Sequence, residues 1–142
     1  MENNARIVIK TVQEPLDGSK PDTIELETMG KFTRRNGKFY IMYEESALTG
    51  FENTTTTVKI GEENVTLLRR GNVESRMEFI GGDTRLCRYP TPYGDLFVGV
   101  KVLELSHSLS EDGGELHLSY ILDLDNESYA KNTLSLAVKL KD

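Results

Sequence analysis

The sequence predicts an all-β chain folded as a single up-and-down antiparallel β-barrel of about ten strands. Apolar residues recur at every second position along most of the chain, and short turn sequences separate these runs. No segment supports a long amphipathic helix. With 142 residues the chain has the usual length of one domain, so we expect residues 1–142 to form a single domain.

Alternation is clearest near the C-terminus. In residues 132–140, NTLSLAVKL, the leucines and Val138 share one face, whereas Ser135, Ala137 and Lys139 share the other. Residues 114–124, GELHLSYILDL, place four leucines and Tyr120 on one face in the same way. Because successive side chains of a strand point to opposite faces, both segments predict strands with one buried face.

Eight further segments follow the rule with less regularity. In chain order they are 5–14, 22–34, 38–45, 54–60, 64–70, 73–80, 84–89 and 95–105.

The turns between these segments favour tight antiparallel connections. The Asn-Gly of "RNG" and the Gly-Gly-Asp of "IGGD" suit the positive backbone φ that short hairpins need. An open sheet of ten strands would leave two edges exposed, and closure into a barrel removes them. We therefore expect the first strand, 5–14, to lie beside the last, 132–141. A two-sheet sandwich is the alternative.

Charge and hydropathy restrict the partners. The net charge is −6 and the longest basic run is a pair of arginines, which argues against nucleic acid as a partner. No segment reaches the length of a membrane helix or of a signal peptide, so we expect a cytoplasmic protein without membrane insertion.

Several short motifs resemble those of a known family. They are "YEE" at 43–45, "TTTTVKI" at 54–60, "LLRRG" at 67–71, "RMEF" at 76–79, "TPYG" at 91–94 and "LSEDGGELHLSY" at 109–120. In this order they resemble the YwiB-like family of uncharacterised bacterial proteins. The resemblance implies a calycin-type, lipocalin-like barrel in a cytosolic, Firmicute-type setting, and it transfers no catalytic residue. The connection 14–22 is too short for the two lid helices of fatty-acid-binding proteins.

A polar patch is expected inside the barrel. If the apolar faces of the middle strands point inward, polar residues of the same parity gather near one end. A small amphipathic or hydrophobic ligand would then bind in the barrel, with Arg69 or Arg76 on its carboxylate or phosphate. Alternatively, Glu45 and Arg69 satisfy each other or reach water at the strand ends. The candidate ligand-binding residues are Tyr43, Glu45, Thr56, Arg69, Arg76 and Tyr93.

No catalytic constellation is recognisable, so we expect a protein that is not an enzyme and needs no cofactor or metal. His107 and His117 occupy the polar parity of their strands, and a zinc site needs three or four ligands. Cys87 lies between Arg85 and Arg88, and neighbouring cations lower the pKa of a thiol. A nucleophile also needs a base and an orienting group, and neither is evident.

The segment 95–105, DLFVGVKVLEL, is apolar on both faces. Phe97, Leu103 and Leu105 oppose the set that contains Val98 and Val100. The second apolar face needs cover, and a homodimer would provide it. This feature supports the alternative function, a non-enzymatic interaction or regulatory barrel with a filled interior.

Overall fold

A computed structural model describes residues 3–46, 51–82, 84–91, 94–124 and 127–141. Within these ranges no helix is long and apolar enough to cross a membrane. The regular structure consists of ten strands: β1 Ala5–Pro15, β2 Asp22–Arg35, β3 Lys38–Glu44, β4 Thr54–Ile60, β5 Asn64–Gly71, β6 Ser75–Ile80, β7 Thr84–Thr91, β8 Gly94–His107, β9 Gly113–Leu124 and β10 Glu127–Leu140.

The strands form one antiparallel sheet in the order β6-β5-β4-β3-β2-β1-β10-β9-β8-β7. Every pair of neighbours is consecutive in sequence except β1 and β10, which pair from Ala5↔Leu140 to Pro15↔Ala130. This confirms the all-β, up-and-down barrel and the pairing of its first and last strands. β6 and β7 contact each other, but no hydrogen-bonded ladder joins their described residues. The barrel is therefore nearly closed, with a seam between β6 and β7.

The core lies inside the barrel and is built by the alternating residues. Ile7 of β1, Ile41 of β3, Val58 of β4 and Phe79 of β6 are all fully buried. The inner residues of β9 and β10, including Leu116, Leu118 and Leu136, join the same cluster. Period-two patterning therefore builds a single core, because every strand turns its apolar parity to the same inner face.

Strand β2 connects the two halves of the barrel. Its first half pairs with β1 as far as Gly30, and its second half pairs with β3 from Lys31 onward. A Cβ on Gly30 would lie 2.3 Å from the Met42 carbonyl oxygen, so only glycine fits this corner. The Asn4 side chain donates to Phe32 O and accepts from Phe32 N, which satisfies backbone groups that β1 no longer reaches.

A β-bulge in β8 explains part of the pattern that makes both faces of this strand look apolar in the sequence. The register with β9 shifts between Val102 and Glu104, so Leu105 faces Leu118 and packs against the core. The expectation that Leu105 shares the outer face with Phe97 is therefore wrong, because an extra residue in a strand reverses the parity beyond it. Phe97 and Leu103 stay exposed.

Candidate ligand-binding site

Polar inner residues gather at one end of the barrel, as the sequence predicts. Tyr43, Thr56, Arg69 and Ser75 stand directly opposite one another along a row that crosses β3, β4, β5 and β6. These positions come at the end of odd-numbered strands and at the start of even-numbered ones. Because neighbouring strands run in opposite directions, such positions meet at the same end of the barrel. We call this region the polar end.

An ion pair lies at the centre of the polar end. Arg69 Nε is 3.8 Å from Glu45 Oε2, and the two side chains are 15% and 3% exposed. The structure thus brings Glu45 and Arg69 together inside the barrel rather than in water at the strand ends. At 3.8 Å the two groups attract each other electrostatically, but the distance is too long for a hydrogen bond.

Tyr43 is packed beside this pair. Burial raises the pKa of the Tyr43 hydroxyl well above its ordinary value of 10.0, and the Glu45 carboxylate raises it further. The Arg69 charge opposes both effects. Tyr43 is consequently neutral at physiological pH and presents a phenolic hydroxyl to the polar end.

Two neighbouring chambers open beside these residues. The first has a volume of about 200 Å³ and is lined by residues of β1, β2, β5, β6, β9 and β10, among them Leu67, Arg69, Tyr120 and Asn132. The second has a volume of about 150 Å³ and is lined by Leu26, Tyr43 and Glu45, among others. Thr11, Ile24, Phe51 and Arg69 line both chambers. The interior is therefore filled at one end and hollow at the other.

Two buried donors point to unmet hydrogen-bonding capacity in the first chamber. Arg69 Nε and Asn132 Nδ2 are inaccessible to solvent and have no hydrogen-bond partner among the described residues. Both side chains line the chamber. A buried N–H without an acceptor costs about 1–3 kcal/mol, so a ligand or an ordered water that supplies oxygen atoms there is favoured.

The sequence analysis did not identify Asn132 as a site residue, although its place in the alternating pattern indicates an inward-facing side chain. It precedes Leu134, Leu136 and Val138 at even spacing, which places an amide on the inner face of β10. A polar residue in phase with buried leucines at a strand start is the signal that would have found it.

The sequence analysis did not identify Phe51 either, because this residue lies between strands β3 and β4, outside the alternating pattern that assigns inner and outer faces. Its ring lies 4.1 Å from the Arg69 guanidinium carbon and is partly buried. This cation–π contact holds the guanidinium against a ring that lines both chambers.

The remaining predicted residues lie elsewhere. Arg76 is exposed on the outer face of β6, opposite Leu68, so it does not enter the chambers. Tyr93 lies outside the described residues. Among the described residues no group of three His, Cys, Asp or Glu side chains is arranged to hold a metal. Cys87 is buried, and His117 stands on the outer face beside Glu115.

A family model described as a domain of unknown function, DUF1934, matches residues 7–136. The chain belongs to this family. It is 26% identical to the uncharacterized β-barrel protein YwiB of Bacillus subtilis (strain 168) over 119 residues, which cover 84% of this chain and 81% of YwiB. The resemblance to YwiB-like proteins is thereby confirmed.

The crystal structure of the Bacillus subtilis YwiB protein has the same fold. It superposes with a TM-score of 0.82 and 20% sequence identity, and the match covers 99% of this chain and 93% of the other. This agreement supports the barrel, and at such low identity it speaks only to the fold. The finer assignment to the calycin or lipocalin-like class stays a prediction, as does the single domain.

Proposed function

We propose that this DUF1934 protein is a non-enzymatic binding protein for a small amphipathic molecule held at the polar end of the barrel. The observation that carries the proposal is the pair of buried, unpartnered donors, Arg69 Nε and Asn132 Nδ2, on the wall of one chamber. We further propose that it acts in the cytoplasm, as the sequence predicts.

The donors indicate the polar end of the ligand. Both are N–H groups, so they require an acceptor oxygen such as that of a carboxylate or an amide. Glu45 already balances the charge of Arg69, and Asp22 also lines the first chamber. The ligand therefore needs an oxygen acceptor, but it does not need a full negative charge.

The chamber volumes limit the ligand's size. At about 30 Å³ per water-sized group, 200 Å³ holds about seven such groups and both chambers together about a dozen. Pockets for drug-sized ligands run from about 300 Å³ upward. The proposed ligand therefore has a short aliphatic or aromatic body, and the chambers are too small to enclose a long-chain fatty acid. Ile24, Leu26 and Leu122 supply the apolar wall.

A calorimetric titration with a graded series tests this proposal. Butanoate, octanoate and hexadecanoate are compared, and octanamide replaces octanoate in a separate arm. We expect the tightest binding at octanoate, comparable binding of octanamide, and weak binding of hexadecanoate. Asn132→Asp, which removes a donor and adds a charge, should weaken octanoate binding about tenfold or more.

The matched control is Arg6→Gln, since Arg6 lies on the outer face of β1 and pairs with Glu27. This variant should bind octanoate as the wild type does. Absence of binding by the wild type across the whole series would overturn the proposal.

A second candidate function is supported by exposed apolar residues outside the barrel. Leu86 of β7 and Phe97 of β8 are 72% and 62% exposed. Leu86 faces Gly99 and Arg88 faces Phe97 in the β7–β8 ladder, so the two apolar side chains are diagonal neighbours. A self-association or protein-interaction role would use this face. Light scattering of the wild type and Phe97→Lys tests it: a dimer that becomes a monomer in the variant supports it, and a monomeric wild type removes the homodimer.

A further inference from the structure

A further cavity lies at the seam between β6 and β7, and it shares Arg69 with the two inner chambers. It is a groove of about 360 Å³ lined by residues from both sides of the seam: Leu68, Arg69, Arg70, Glu74, Ser75, Arg76 and Arg88. The chain has eight arginines, and half of them line this groove. In a chain of net charge −6, this is a strong local concentration of positive charge.

The charges of the groove are only partly compensated. Arg69 pairs with Glu45 inside the barrel, and Arg88 pairs with Asp95 at 3.4 Å. Arg70 and Arg76 have no ion-pair partner among the described residues. Among the described residues that line the groove, Glu74 supplies the single carboxylate, so the groove keeps an excess of positive charge.

The residue types favour a phosphate group. The guanidinium is a planar fork of donors that matches the oxygens of phosphate in a bidentate manner, and the Ser75 hydroxyl adds a further donor. The excess positive charge at the seam suits a group that carries one to two negative charges. We propose that the seam groove binds the phosphate group of a small phosphorylated molecule.

Two other roles would also place arginines on this surface: protection of the sheet edges from association, and binding of a nucleic acid. Each role predicts a different result in the test below. Charged side chains on edge strands prevent sheet-to-sheet association, and β6 and β7 are the two edges of this sheet. Arginines also bind the backbone of a nucleic acid. A long polyanion would extend beyond the groove onto a chain whose net charge is −6, so the small ligand is favoured.

The test is a titration with pyrophosphate and with inorganic phosphate, followed by heteronuclear NMR at low salt. We expect pyrophosphate to bind in the millimolar range or tighter, with shifts in the amides of β5 and β6 near the groove. Arg76→Gln should weaken binding about tenfold. Glu74→Gln should tighten it, because it removes the carboxylate of the lining. Arg6→Gln, on the outer face of β1, should leave it unchanged at constant ionic strength.

The outcomes separate the three roles of these arginines. No binding by the wild type, together with self-association of Arg76→Gln in light scattering, would overturn the proposal in favour of edge protection. Tighter binding of a single-stranded oligonucleotide than of pyrophosphate, with a steep salt dependence, would overturn it in favour of nucleic acid. Arg76 and Glu74 do not line the inner chambers, so this proposal does not rest on the ligand proposed there. Loss of octanoate binding and loss of pyrophosphate binding are separate results.

Discussion

The two ends of the barrel are built by the same strands and differ in what those strands turn inward. At one end, Ile41, Ile60, Val65, Phe79 and Leu116 are essentially inaccessible and fill the interior. At the other, the same strands or their neighbours present Tyr43, Arg69 and Asn132 around two chambers. The filled end contributes stability through packing, whereas the polar end carries the unmet hydrogen-bonding groups.

Alternation alone therefore does not define a core. Period two decides which side chains point inward, and the chemical type at each position decides whether the space is filled. In this barrel, packing at the filled end stabilises the fold, and the polar end is available for binding. Substitutions at equivalent positions of the two ends should therefore differ in their consequences.

Strand β9 offers the largest contrast, because it carries a leucine at each end on the same inner face. Leu118 is buried in the core, and Leu122 is half-buried on the wall of the first chamber. Leu118→Ala should reduce the free energy of unfolding by about 3–5 kcal/mol, since it leaves a cavity in a packed region. Leu122→Ala should cost less than half as much, because its side chain already borders empty space.

Urea unfolding of both variants measures the contrast. Equal losses at the two positions would mean that the ends are packed alike, and would contradict the distinction drawn between them.

The buried ion pair gives an intermediate effect. Arg69→Met removes the cation beside the Glu45 carboxylate, which is 3% exposed, and should reduce the free energy of unfolding by about 3 kcal/mol. The double variant Glu45→Gln/Arg69→Met removes both charges and should recover a large part of that loss. A double variant that is as unstable as the sum of the single variants would show that the pair is not coupled.

A smaller effect concerns alkaline pH. Because the folded pKa of Tyr43 lies above its unfolded value of 10.0, the folded state holds this proton more tightly than the unfolded chain does. The stabilisation is fully present below about pH 10 and is lost as the pH rises above it, by about 1.4 kcal/mol per pH unit.

Tyr43→Phe should remove this contribution to the loss of stability at alkaline pH. Unfolding midpoints at neutral and alkaline pH, compared between the variant and the wild type, measure it. Tyr40→Phe is the matched control, because Tyr40 lies on the outer face of β3 beside Lys59. An identical alkaline decline in wild type and Tyr43→Phe would contradict the burial of a neutral Tyr43.

Much of this arrangement was predictable from the sequence, and the exceptions have physical causes. Strand alternation predicts the inner face and the strand count, and it puts Glu45 and Arg69 on that face. Whether the two side chains pair or reach water was left open by the sequence, and the structure pairs them. It does not predict the bulge after Val102, because one extra residue leaves no compositional trace and reverses parity beyond it.

The corner at Gly30 and the seam between β6 and β7 were also not predictable. Both depend on how the closed sheet curves, which the local pattern does not encode. Gly30 reads as an ordinary strand interruption until the neighbouring Met42 carbonyl is in place. The seam separates β6 from β7, and the sequence at their connection, IGGD, is typical of a tight hairpin.

If Arg69 Nε–H donates to a small ligand at the polar end, the Nε–H resonance of Arg69 will report that ligand's arrival. In spectra of nitrogen-15-labelled protein titrated with octanoate, we expect the Arg69 Nε–H signal to shift downfield and to become protected from exchange. The methyl signals of Leu118 should remain in place. An Arg69 Nε–H signal that does not move at saturating octanoate, or shifts confined to the outer surface, would contradict the proposed donation.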